Sequence, residues 1–108
     1  MTSLDQLLNT SGDAAKELIK SQLLELIDSA KSESATVVKE SAEKIEQWLK
    51  LRLAGELDKD ELQALLDSRK RVVEQFLNSQ EIAARTRLEK ISVGLINLIL
   101  DQALDSLL

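Results

Sequence analysis

Ser41-Ala42-Glu43-Lys44 sets a hydroxyl and an amine one helical turn apart, the Ser-x-x-Lys arrangement from which penicillin-interacting enzymes build a nucleophile. The companion Ser-Asp-Asn and Lys-Thr-Gly sequences are absent, so the match is attributed to a helix rich in serine and lysine. Asp58-Lys59-Asp60 begins like a calcium-binding loop, but the central glycine is missing and Arg69 stands where a closing glutamate would complete the coordination. Ser68-Arg69-Lys70-Arg71 is a basic cluster suited to phosphate or an acidic partner; Asp67 and Glu74, at helical spacing, make a solvated helix face the simpler reading. Asp101 and Asp105, four residues apart, suit a cation or a partner surface, and are read more simply as the water-facing edge of a helix.

The chain has no histidine and no cysteine. Ordinary zinc sites, histidine acid–base catalysis and Ser–His or Cys–His nucleophiles are thereby excluded. A di-iron bundle needs Glu-x-x-His pairs, and a phosphate loop needs clustered glycines; neither is present. The expectation is a protein that is not an enzyme, with no catalytic, cofactor-binding or metal-binding residues.

The elements that would hold these groups are helical. Leu, Ala, Glu, Lys, Asp and Ser dominate, there is no proline, and the glycines are only Gly12, Gly55 and Gly94. Hydrophobic residues form 44% of the 108, enough for a packed core in one domain. The clearest local signal is Leu53-Ala54-Gly55-Glu56-Leu57-Asp58-Lys59-Asp60-Glu61-Leu62. Gly55 can take the left-handed backbone that closes a helix. Asp58 and Glu61 have the spacing of a capping box, and Leu57 and Leu62 that of a hydrophobic staple.

On either side of this turn the apolar residues recur at steps of three and four. Before it run Ile19, Leu23, Leu26, Ile27, Ala30, Ser34, Val37, Ser41, Ile45 and Trp48; after it Leu62, Leu66, Val73, Leu77, Gln80, Ala84, Leu88, Ile91, Leu95, Leu98 and Gln102. Neither stripe changes phase. The predicted fold is therefore all-α, an antiparallel long helical hairpin with arms of ~60 Å or more, assembling into a helical bundle. Its parts are a short N-terminal helix over 3–9, a helix over 13–54, a turn over 55–57 and a helix over 58–107, all in one domain. Ser11 or Asp13 would cap the first long helix. Ser34 and Gln80 would meet as a polar layer halfway along. The alternative is a break in both arms at that level, near 31–36 and 78–80, closing the chain into a compact four-helix bundle.

The last stretch carries a second apolar stripe, Val93, Ile96, Leu100, Leu104 and Leu107, nearly opposite the first. A helix apolar on most of its circumference is normally buried on most sides. In a hairpin this second stripe would face away from the other arm at the open end. Together with Leu4, Leu7, Leu8, Leu18 and Leu24 it forms the predicted interface. The expected function is a structural or interaction module that self-associates, a homo-oligomer with a dimer favoured, with an unidentified protein partner as a further candidate. Its alternatives are an amphipathic lipid-surface protein and a chaperone-like binder of another protein's helix. A net charge of −5 disfavours nucleic acid. No apolar run of ~18 residues predicts a transmembrane segment. Met1-Thr2-Ser3-Leu4-Asp5 lacks the basic start and apolar run of a signal peptide, which leaves a cytoplasmic location as the default.

Overall fold

The computed structural model describes residues 4–8 and 14–108, all helical apart from short connections, with no strand among them. The helices are α1 (Leu4–Leu7), α2 (Ala14–Lys31), α3 (Thr36–Leu53), α4 (Lys59–Leu77), α5 (Ile82–Leu98) and α6 (Leu104–Ser106), with a π-turn over Ile99–Ala103 joining the last two. Ser3 and Asn9, the predicted limits of the first helix, and Ser11 and Asp13, the predicted caps of the next, lie outside the described residues.

The turn between α3 and α4 forms as its residues dictate. Gly55 has φ +81°, where a Cβ would clash with the backbone. This lets the N–H of Glu56 reach the carbonyl of Leu51 at 2.9 Å and the N–H of Gly55 that of Arg52 at 3.1 Å, satisfying two carbonyls at the end of α3. Asp58 Oδ1 accepts from the Glu61 N–H at 2.7 Å, and Glu61 Oε1 accepts from the Asp58 N–H at 3.2 Å. Leu57 packs against the cluster that holds Leu62, so the apolar staple and the capping box close the same turn.

The two long helices of the predicted hairpin do not form. Each arm breaks into two helices of 17–19 residues, at 32–35 and at 78–81. The same device ends α2 and α4. Ser32 Oγ donates to the Ser29 carbonyl at 3.0 Å, and Ser79 Oγ to the Phe76 carbonyl at 2.7 Å, each three residues back. A serine in this position offers the carbonyl a partner in place of the next helical N–H. Each break spans four residues, close to one helical turn of 3.6, so numbering through the break leaves the apolar phase almost unchanged. Unbroken phase was therefore no sign of an unbroken helix. Ser34 and Gln80 lie in these connections, Ser34 exposed, and form no polar layer in a seam.

The result is a four-helix bundle in which α2, α3, α4 and α5 each pack on the next and α5 closes the ring against α2. Its extents are 42 × 27 × 26 Å, well short of a ~60 Å hairpin. One apolar cluster fills the end beside the Gly55 turn, with Leu23, Ile27, Ile45, Leu49, Leu62, Leu66, Leu95 and Ile99 at its centre. The second, Ala30, Val38, Ala42, Val73, Leu77 and Leu88, fills the end beside the two serine-terminated breaks. Val38, Ala42 and Leu49 are buried on α3, whereas Val37 and Trp48, expected in the seam, are half-buried. The buried arc of α3 moves because the returning helix meets neighbours on more than one side.

Folding back also removes the open end. Leu4 and Leu8 join the cluster that contains Leu62, and Lys59 at the start of α4 pairs with Asp105 in α6. The terminal segments thus lie against the Gly55 turn, where the hairpin would have put them at the far end. Asp58 and Gly55 supply two tests. Gly55→Val, strained by its φ alone, should lower stability by about 1–2 kcal/mol, read as a lower urea midpoint in Trp48 fluorescence. The Glu61 N–H holds the Asp58 carboxyl below its ordinary range, with smaller help from the Glu61 side chain, the Asp60 N–H and the Arg52 charge. A lowered folded-state value gives stability that is present above the unfolded value and lost as pH falls through the folded one. The urea midpoint of Asp58→Ala should accordingly lie below wild type at neutral pH, with the gap narrowing as pH falls below about 4.

Candidate interaction surface

Several of the residues singled out for chemistry are engaged in packing or in ties between helices. Ser41 is 1% exposed and its Oγ donates to the Val37 carbonyl at 2.7 Å, while Lys44 stands in solvent. In the basic cluster Lys70 Nζ donates to Asn97 Oδ1 at 3.0 Å, tying α4 to α5. Asp105 is held by Lys59. Lys31 pairs with Glu46 at 3.0 Å between α2 and α3, and Arg87 Nη1 bonds both oxygens of Glu33, at 2.8 and 2.7 Å, tying the first break to α5.

The predicted interface residues do not share one face. Leu4, Leu8, Ile96 and Leu104 are buried in the chain's own core. Leu7, Leu24, Val93, Leu100 and Leu107 are half-buried, and Leu18 is 61% exposed. The reason lies in α5. Its buried residues are Leu88, Ser92, Leu95 and Ile96, continued by Ile99, Ala103 and Leu104. This arc takes one edge of each apolar stripe and lies opposite the polar line of Asn97, Asp101 and Asp105. Ile91 and Leu98 form one half-buried flank, Val93 and Leu100 the other. The two stripes are thus the shoulders of one broad face. Buried Ser92 is accommodated by donating to the Leu88 carbonyl at 2.5 Å. The π-turn contributes at the end: the Leu104 N–H bonds the carbonyl of Ile99, five residues back, and the wider turn swings Leu104 toward the core, to 4% exposure.

The outer side of α5 presents a different feature. A Cβ built at Gly94 would meet no atom of another part of the chain within 4 Å, and its φ is not positive. Neither close packing inside the molecule nor backbone conformation calls for glycine there. A shallow groove runs beside it, lined by Gln22, Glu25 and Leu26 of α2 and by Lys90, Gly94 and Leu98 of α5. A second shallow depression on the other side of Gly94 is lined by Thr86, Glu89, Val93 and Asn97. Among the described residues no helix is long and apolar enough to cross a membrane. Comparisons with protein-family models, curated proteins and solved structures return no match.

The crest of α5 was missed as a unit because its residues are polar or small, and a search for apolar stripes passes over them. The available signal was the seven-residue spacing of Arg87, Gly94 and Asp101, which places them along one line of a helix. Gly94→Ala supplies the test of the open space. It should raise the stability of the isolated chain by about 0.5–1 kcal/mol, since the helix gains propensity and the methyl meets nothing, and a loss in chemical denaturation would contradict the geometry.

Proposed function

We propose that this protein is a non-enzymatic interaction module that self-associates, two copies meeting across the crest of α5 and the adjoining groove with α2. The observation that carries the reading is Gly94. A helix-interior glycine costs about 1 kcal/mol against alanine, and here no contact within the chain repays it. Such a position suits the close approach of a helix from another molecule. Leu26, Leu98 and Val93, half-buried around it, supply apolar area that a partner would cover. The engagement of the Ser41 hydroxyl in α3 supports the non-enzymatic part of the reading.

Light scattering coupled to size-exclusion chromatography at tens of micromolar tests it. Wild type should run at twice the chain mass. Gly94→Leu should run at the single-chain mass while keeping its helical circular dichroism and melting transition, because its Cβ enters open space on the outer side of α5. A monomeric wild type overturns self-association. A monomer that co-sediments with anionic vesicles would transfer the reading to a lipid-surface protein.

A further inference from the structure

Glu89 lies on the Val93 flank of α5, and the charges nearest Gly94 on its outer side differ in sign from one end to the other. Arg87 and Lys90 lie on the N-terminal side of Gly94, and Asp101 on the C-terminal side. All three are exposed. Arg87 and Asp101 stand seven residues to either side of Gly94, Arg87 within α5 and Asp101 within the π-turn that follows it. The Arg87 side chain remains 57% exposed, and both of its bonds to Glu33 are made by Nη1. A guanidinium carries five N–H donors in a rigid fork, so the Glu33 contact leaves donors for a second carboxylate.

Resting on the self-association reading, we infer that the second copy lies antiparallel, its α5 crossing this one at Gly94, with Arg87 of each copy paired to Asp101 of the other. The three residues determine the arrangement together. Glycine on both helices allows the backbones to approach most closely at one point, and a two-fold axis through that point sets residues equidistant from Gly94 opposite each other. Arg87 then faces Asp101 twice, once on each side of the crossing. The aliphatic stem of Lys90 comes over Leu98 of the other copy, with its ammonium in water. A parallel arrangement would bring Arg87 onto Arg87 and Asp101 onto Asp101, so the same charges that join the antiparallel dimer oppose the parallel one.

Charge reversal with mixing tests the geometry. Dimer dissociation constants are measured by sedimentation equilibrium for wild type, Arg87→Glu, Asp101→Arg, the double variant, and an equimolar mixture of the two single variants. Each single variant should dimerise roughly tenfold more weakly or worse, since two attractive pairs become repulsive. The double variant and the mixture should both recover wild-type affinity, the mixture as a heterodimer, because every reversed charge again meets its opposite. Glu40→Lys, on the exposed surface of α3, should change nothing. A circular dichroism melt accompanies each protein. If Arg87→Glu is unfolded through loss of its tie to Glu33, Asp101→Arg mixed with wild type decides instead, and must pair less well than wild type with itself. A wild-type dimer indifferent to these charges, or single variants weakened but not restored by mixing, overturns the antiparallel geometry and leaves self-association standing. A wild type that is monomeric overturns both.

Discussion

A helix that is apolar over most of its circumference has to be enclosed by several neighbours, and α5 imposes that requirement on the whole chain. Its core arc from Leu88 to Leu104 is wider than one antiparallel partner can cover. In a two-helix hairpin the shoulders at Val93, Ile96 and Leu100 would lie in water, forgoing ~1.5–3 kcal/mol for each large side chain that full burial would bring. Bending both arms back on themselves brings α2, α3 and α4 around α5, and closing the ring against α2 covers the shoulder that α4 leaves open. The cost is two extra helix ends with free backbone groups. At those ends Ser32 and Ser79 satisfy carbonyls locally, so the breaks do not bury unpaired polar atoms there.

The bundle divides its labour along its length. The end beside Gly55 holds the larger leucine and isoleucine side chains, together with α1 and the π-turn, and is sealed by the capping box and the Lys59–Asp105 pair. The end beside the breaks combines the small residues Ala30, Val38, Ala42 and Val73 with Leu77 and Leu88. Ser41 and Ser92 fit this interior because each hydroxyl returns its hydrogen to a carbonyl one turn back and so carries no unsatisfied donor into the core. At Ser41 the serine of the Ser-x-x-Lys match is a small buried group.

With the broad apolar face enclosed, the outer surface of α5 is largely polar and charged around one glycine. The interface expected at the open end required an end that the fold removes. The crest of α5 carries instead a glycine with open space above it, half-buried apolar neighbours, and charges of opposite sign to either side. Exposed charge pairs contribute little affinity individually, but they discriminate strongly between relative orientations of two helices. In the proposed dimer such pairs would set how the two copies lie more than how tightly they hold.

Local features with local causes were legible in the sequence. The left-handed Gly55, the Asp58–Glu61 capping box and the buried line Leu62, Leu66, Val73 and Leu77 depend on residues within a turn or two of one another, and each is found as its residues specify. The all-helical class followed in the same way from composition and period. Whether each arm continued or reversed was not legible, because a connection of four residues and a helical turn of 3.6 advance an apolar stripe by nearly the same amount. The choice was made by α5, whose need for neighbours on several sides is met only by segments distant in sequence. The same tertiary constraint turned Ile96 and Leu104 inward, merged two stripes into one face, and left Gly94 on the outside. Sequence alone fixed where a helix can end at low cost; the demand for enclosure decided which of those ends were used.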